Sequence, residues 1–269
     1  MEKRFQPKHD PLQVFAGSKS PAGLYARQKW RHEESTESWV SDFNETVNSL
    51  REGQLANGSW KNCEIDTIQR LFGLHLTVRE PDDSIEAALD WLLNKIALSH
   101  VSVIPHMVPR WTLNNLPFSS GCFDHFVICA GLFLSNCFGR GEAKSVIVLY
   151  DTVAQEIEAK GGSLCSIGCT NNALRAFVVH KQYSRSRAAV LMVDYLGRRQ
   201  LTSGRWNGKT PLYMTFNALA HLDSANASRQ CVKAVESVVS AQNKDGSWGR
   251  TQKEWNTFLV VHALNRMNA

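Results

Sequence analysis

Four of the seven cysteines follow closely on a recurring glycine, and two aspartates and a histidine share this placement. The cysteines are Cys63, Cys122, Cys165 and Cys169, and the other residues are Asp66, Asp124 and His125. Thiolate, imidazole and carboxylate groups are the ligands that zinc and similar ions prefer in proteins. The placement indicates a site for zinc or another divalent metal, in which Cys63, His125 or Asp124 joins the other three cysteines. The alternative is that small cysteines fill tight corners, as free cysteines do in many cores.

Four histidines recur at similar distances after the same set of glycines. His75, His180, His221 and His262 lie 17, 18, 17 and 16 residues after Gly58, Gly162, Gly204 and Gly246. Arg175 adds a cation to one of these otherwise apolar segments. Such side chains lining a cavity could contact a substrate, bind a metal, move protons or hold an anion. The alternative is that each imidazole is bonded between packed helices, because a one-residue shift rotates a side chain by about 100°.

The glycines that precede these residues belong to a sequence repeat. Each copy reads Gly-x-aromatic or Gly-x-Leu, and the glycines are Gly58, Gly121, Gly162, Gly204 and Gly246, with steps of 63, 41, 42 and 42 residues. A fixed period of this length is typical of a repeat architecture. The first step matches the others once an insertion at about 99–118 is removed.

Each repeat has an amphipathic stretch before the glycine and a more apolar stretch after it, which predicts a helical hairpin. The first stretches are 39–54, 84–97, 142–160, 185–200 and 227–241, and the second stretches are 66–77, 124–137, 170–182, 211–222 and 255–267. Ser20 and Pro21 predict the start of one more helix over 21–33, with serine as the cap and proline at the first helical position.

The corners resemble a known motif. Gln242-Asn243-Lys244-Asp245-Gly246-Ser247-Trp248, together with the Gln…Gly-x-Trp copies at 54–60 and 200–206, is similar to the QW motif of squalene–hopene cyclases and the prenyltransferase/squalene-oxidase repeat. The resemblance covers about residues 39–268. It implies an all-α fold, an α/α toroid of about five helical hairpins with an inner and an outer ring, preceded by an N-terminal segment at 1–38. In that superfamily the motif glutamines and tryptophans tie helix ends to corners.

The resemblance also implies a function, a terpene-cyclase-like enzyme acting on an isoprenoid or similar apolar substrate inside the toroid. The Asp-x-Asp-Asp acid of squalene–hopene cyclases is missing, and Asp82-Asp83 suits the start of an outer helix instead. Asp66, Asp124 and His125 are therefore the candidate catalytic residues. Protein prenyltransferases of the same fold hold zinc through Asp, Cys and His, although their Asp-x-Cys pattern is absent here. A metal-dependent enzyme with non-terpene chemistry and a non-catalytic toroid that binds a lipid or a protein both stay open.

The insertion carries Arg110 and Trp111 and is expected to fold over the mouth of the toroid, with one of these side chains pointing into the substrate cavity. Long loops on a rigid scaffold often act as lids. A surface decoration or a dimer contact is the alternative.

Composition excludes several classes of function. The net charge is +5 and 43% of residues are apolar, with no nucleic-acid-binding motif. No signal peptide and no membrane span is predicted, and an odd number of cysteines argues against a disulfide framework. We expect a cytoplasmic protein whose partner is a hydrophobic small molecule, while peripheral membrane contact and oligomeric state stay open.

Overall fold

The computed structural model describes residues 5–98, 107–208 and 210–269. Within these ranges the chain forms eleven α-helices and no β-strand. They are α1 Pro21–Lys29, α2 Glu37–Arg51, α3 Glu64–Thr77, α4 Asp83–Leu98, α5 Phe123–Cys137, α6 Lys144–Ala159, α7 Ile167–Val178, α8 Arg187–Gly197, α9 Leu212–Ala220, α10 Ala225–Ser240 and α11 Lys253–Asn268. In the part of the chain so described, none of the helices combines the length and apolar character that a bilayer crossing requires.

The helices form two concentric layers. Each odd-numbered helix contacts the next, from α1 to α11, and α11 contacts α1. The even-numbered helices form the outer layer, and each of them contacts the inner helix that precedes it in the chain. Helices α2 and α4 also contact the inner helix that follows, whereas α6, α8 and α10 contact one another in sequence. Four inner helices, α3, α5, α7 and α11, bury the most residues, because outer helices and neighbouring inner helices pack around them. The predicted all-α, toroid-type fold is confirmed.

The N-terminal helix is the sixth member of the inner ring. It begins as predicted, because the Ser20 side chain accepts a hydrogen bond from the Gly23 amide at 3.0 Å and Pro21 occupies the first helical position. It ends at Lys29 rather than at residue 33, and His32 then adopts a left-handed backbone with φ of 56°. Since α1 packs between α3 and α11, it closes the ring.

The Gln…Gly-x-Trp corners fasten neighbouring repeats to each other. The Gln200 side-chain amide donates to the carbonyls of Gly204 and Gln230, both at 2.8 Å, and Trp206 donates to the Gln230 side chain at 3.2 Å. One corner is thereby tied both to itself and to α10. Equivalent bonds run from Gln54 to Gly58 and Ser84, and from Gln242 to Gly246 and His9.

The corner glycine is required for two separate reasons. Gly204 has φ of 82°, and a β-carbon there would overlap the Lys233 carbonyl of α10. Gly139 has nearly the same φ, 81°, but open space around it. We expect Gly139→Ala to cost about 1–2 kcal/mol of unfolding free energy from backbone strain alone, and Gly204→Ala to cost clearly more. Urea denaturation of both variants measures the difference, and equal losses would show that the close approach to α10 is unimportant.

The insertion lies over the end of the toroid where the inner helices begin. The Trp255 indole of α11 donates to the Leu116 carbonyl at 3.1 Å, and Gln69 of α3 donates to the Thr112 carbonyl at 2.6 Å. Phe118 is fully buried against two rings of α5. The described part of the insertion therefore bridges inner helices, while residues 99–106 lie outside the described ranges.

The two side chains expected to enter the cavity do not do so. Trp111 is 75% exposed and Arg110 is also exposed, so the prediction that one of them points into the cavity is wrong. Both lie on a short 3-10 turn, Arg110–Leu113, whose only buried residue is Leu113. Leu113 is the buried side chain of this turn, and Arg110 and Trp111 face solvent.

Candidate metal centre and inner cavity

The starts of α5 and α7 approach each other unusually closely, and glycines permit this. A β-carbon on Gly168 would overlap the Ser120 carbonyl, and one on Gly121 would meet the Cys169 backbone and sulfur. The Cys122 amide consequently reaches the Cys169 sulfur at 3.2 Å. Two cysteines that are 47 positions apart in the chain are brought together by backbone packing rather than by a flexible loop.

Three cysteines and one histidine converge at this contact. The donor atoms of Cys122, His125, Cys165 and Cys169 all lie within 4.8 Å of one another. The Cys165 sulfur is 2.7 Å from that of Cys122, 3.2 Å from that of Cys169 and 3.4 Å from Nδ1 of His125. Cys122 and Cys169 are buried, whereas Cys165 is exposed. We call these four residues the Cys3His cluster.

A second layer of hydrogen bonds orients the cluster. Nε2 of His125 lies 3.1 Å from the Glu156 carboxylate, which Lys160 also contacts at 2.7 Å. The Ser166 hydroxyl donates to the Cys169 sulfur at 3.2 Å and caps α7. A carboxylate on one histidine nitrogen fixes the ring and turns the other nitrogen toward a metal. Glu156 and Lys160 were missed by the sequence analysis, since they lie at the end of an outer helix with no repeat spacing.

The Cys3His cluster contains one positively and one negatively charged group, His125 and Cys169. The hydrogen bond to Cys169, with smaller help from Glu156, raises the pKa of His125 to about 9. Burial opposes ionisation of Cys169, but hydrogen bonds from His125 and Ser166 outweigh it and lower the pKa of this thiol to about 6. Near neutral pH Cys169 is a thiolate, which is the form of cysteine that binds metals.

The donor set fits zinc. Three sulfurs and one imidazole nitrogen are a common tetrahedral zinc set. Zn–S bonds of about 2.3 Å place tetrahedral ligands roughly 3.8 Å apart, which small side-chain rotations reach from the observed spacing. A cluster of this kind could hold one divalent ion, as the sequence predicted for Cys122, Cys165 and Cys169.

Two of the predicted residues lie outside the cluster. Cys63 caps the start of α3 and pairs with Asp66, so it does not belong to the metal set; of the three residues offered as the fourth ligand, His125 is the one that lies in the cluster. The reason is geometric: His125 lies about one helical turn after Cys122, the N-cap residue of α5, whereas Cys63 is the N-cap residue of α3. Asp124 lies on the first turn of α5 beside the cluster without joining it.

Asp66 is not suited to the role of general acid. Its carboxylate contacts Lys61 at 2.7 Å. Partial burial works against ionisation, but the bonds to Lys61 and Cys63 prevail and lower the pKa of Asp66 below its ordinary value. It is therefore ionised near neutral pH and has no proton to give.

Three of the four recurring histidines come together inside the ring. His221 and His262 stack with ring centroids 4.7 Å apart, and the proximity of His75 contributes to the lowered pKa of His262. His180 does not join them, which corrects its assignment to the cavity. It is buried beside Tyr150 and Tyr183, with Nε2 3.3 Å from the Gly141 carbonyl. Because α7 ends at Val178, His180 lies past the helix and turns outward.

Aromatic side chains surround these imidazoles. Tyr25, Trp30 and Phe258 contact His262, and Phe72, Phe133 and Phe138 contact His75. Burial lowers the pKa of His75, His221 and His262 to about 4, 4 and 3, respectively. All three nevertheless keep some accessible surface. Groups that are desolvated yet accessible line a recess, which we call the inner cavity.

Two comparisons with known proteins agree with this architecture. Residues 164–264 match the family model described as the squalene-hopene cyclase C-terminal domain. A crystal structure of a protein from Actinoplanes superposes with a TM-score of 0.58 at 15% sequence identity, covering 96% of this chain and 90% of that chain. At this identity the second likeness concerns the fold alone. The family match covers residues 164–264 and, together with the two rings of helices, supports the resemblance to the prenyltransferase and terpene-cyclase-like superfamily.

Proposed function

We propose that this protein is a zinc-binding member of the terpene-cyclase-like superfamily that holds an isoprenoid or similar apolar molecule in its inner cavity. The observation that carries the zinc assignment is the Cys3His cluster. Three thiols and an imidazole from the starts of α5 and α7 and the loop that precedes α7 meet within 4.8 Å, and a carboxylate orients the imidazole. Thiols placed by chance in tight corners do not require this second layer.

An ion held by these four donors would stabilise the covered mouth of the toroid. The insertion is attached to the cluster directly, because the Val108 amide donates to the Gly121 carbonyl at 2.9 Å and Met107 forms a backbone bridge with Cys122. A site with four protein ligands is closed and mainly structural. Cys165, the exposed ligand, is the position at which a solvent or substrate atom could replace a protein donor.

Metal content tests the zinc assignment. Elemental analysis of the purified chain is expected to find about one zinc per molecule, since a tetrahedral set of this type closes around one ion. Cys169→Ser is expected to lose the metal. Cys63→Ser is the matched control, a cysteine at an equivalent corner outside the cluster, and should keep it. Cobalt substitution should give the charge-transfer and d–d absorption of a tetrahedral thiolate site.

Two results would contradict the assignment. One is a folded wild-type chain that contains no metal and takes up neither zinc nor cobalt after reduction. The other is equal metal content in Cys169→Ser, Cys63→Ser and the wild type, which would place the ion elsewhere.

Catalysis on an apolar substrate is the second part of the proposal, and the aromatic lining supports it. Ring faces stabilise cations in an apolar space, which is the charge type that forms when an isoprenoid alkene is protonated. Incubation with squalene and polyprenyl alcohols, followed by gas chromatography and mass spectrometry, tests for products. Cyclised or rearranged products support an enzyme. Lipid that is retained and recovered unchanged supports the non-catalytic alternative.

A further inference from the structure

A guanidinium group is buried in the inner ring without a carboxylate beside it. Arg175 of α7 is 6% exposed, and one of its terminal nitrogens donates to the Met214 carbonyl of α9 at 3.2 Å. Its Nε has no hydrogen-bond partner. Across the described ranges no ion pair includes Arg175, and burial lowers its pKa to about 10. A buried, unpaired charge is costly, so a partner is expected from outside the chain.

Arg175 lies at the histidine end of the inner cavity. It reaches α9 at Met214, which is two helical turns before His221 on the same face of that helix, and its charge contributes to the lowered pKa of His221 and His262. The other groups that perturb these histidines are cationic or neutral, and no described carboxylate is among them. The Nδ1 atom of His75 is also buried without a partner. The recess therefore offers hydrogen-bond donors and positive charge, and the chain supplies no negatively charged acceptor from its described residues.

Arg175 is the most deeply buried of the arginines whose charge acts on these histidines. Arg79 also has a buried Nε without a partner, but its guanidinium lies 4.8 Å from the Tyr25 ring and donates to Gln28 at 2.6 Å. Arg266, which also acts on His221, is exposed. The histidines are neutral at pH 7. A buried guanidinium beside an aromatic wall matches a ligand with a negative head group and a hydrocarbon body.

We propose that the inner cavity binds an apolar carboxylic acid, with the carboxylate on Arg175 and the hydrocarbon along Tyr25, Trp30 and Phe258. This deepens the proposed function, since it takes the inner cavity as the ligand site, but it does not depend on the metal. The Cys3His cluster lies at the opposite end of the inner helices, near their first residues. A monoanion compensates the single guanidinium, whereas a diphosphate would bring excess negative charge into a desolvated recess.

Binding of chain-matched probes tests the charge requirement. Farnesoic acid, its methyl ester and farnesyl diphosphate differ only at the head group, and their dissociation constants can be measured by calorimetry with the wild-type chain. We expect the acid to bind at least about tenfold more tightly than the ester, as a charge-assisted hydrogen bond allows. We also expect it to bind more tightly than the diphosphate. Equal affinity for acid and ester would overturn the proposal, and tighter binding of the diphosphate would overturn the match to a monoanion.

Substitutions test whether Arg175, rather than another group, causes the preference for the acid over the ester. Arg175→Met should abolish the preference for acid over ester while melting at the same temperature as the wild type or higher, because an unpaired buried charge is removed. Arg187→Met, at a position 80% exposed on α8, is the matched control and should keep the preference. A preference that survives in Arg175→Met would refute the assignment. The comparison of acid and ester uses the wild-type chain whether or not it holds a metal ion, so failure of the metal proposal leaves this test intact. If Arg175→Met does not fold, the comparison of acid and ester with the wild-type chain still tests the proposal.

Discussion

Replacing Trp248 by alanine is expected to lower the free energy of unfolding by about 3–5 kcal/mol, as large aromatic truncations in packed cores do. Trp248 is fully buried, its indole donates to the Val238 carbonyl at 2.7 Å, and its backbone amide donates to the Thr257 hydroxyl at 3.1 Å. One side chain thereby joins the end of α10 to the start of α11. Chemical denaturation followed by circular dichroism measures the loss.

Trp111→Ala is the matched control for this variant. It removes the same side chain from a position that is 75% exposed, where a substitution changes stability by no more than about 0.5 kcal/mol. If Trp248→Ala unfolds at the same denaturant concentration as Trp111→Ala, the corner tryptophans do not hold the repeats together.

Acid is expected to destabilise the folded chain well before its carboxylates are protonated. Burial lowers the pKa of His75, His221 and His262 to about 4, 4 and 3 in the folded state. In the unfolded chain these imidazoles return to about 6.5. Between these values the unfolded state binds more protons at these three positions, so their contribution to stability is fully present above pH 6.5 and is lost as the pH falls. Each histidine contributes a loss of about 2 kcal/mol by pH 5.

His262→Phe isolates this effect. Phenylalanine keeps an aromatic ring between Phe258 and Tyr25 but cannot take up a proton. The slope of unfolding free energy against pH, measured between pH 7 and pH 5, should fall by about one proton relative to the wild type. Trp111→Phe changes an exposed ring that does not titrate and should leave the slope unchanged. A slope that is identical in all three proteins would show that His262 is not held neutral by burial.

The fold was predictable because its determinants are local and periodic. A glycine with positive φ, a glutamine four residues before it and a tryptophan two residues after it satisfy one another within a single corner, as Gln200, Gly204 and Trp206 do. Repetition at a constant step then implies that successive hairpins stack. The closing role of α1 was not predictable, since this helix carries no corner of its own.

The candidate site was predictable only to the level of which helix ends meet. Cys122, Cys165 and Cys169 all follow corners, so a shared rim follows from the repeat. The choice of His125 over Cys63 depends on the rotation of two helices, which spacing alone does not give. Glu156 lies on an outer helix, so its approach to His125 depends on the packing between rings. His180 was misplaced because α7 ends two residues earlier than its repeat position implied.

The closure of the inner ring by α1 and α11 also governs how the toroid can assemble. Asn268 exchanges two hydrogen bonds with the Phe5 backbone, at 3.2 and 3.0 Å, across 263 positions of the chain. Contacts of such sequence separation form slowly, because a long loop must close before they contribute. A ribosome releases α1 before α11, so the faces of α1 and α9 that pack against α11 stay uncovered until synthesis has passed residue 253. Until α11 has been synthesised, the molecule is an open arc of hairpins. Its interior is enclosed only when α11 packs between α9 and α1.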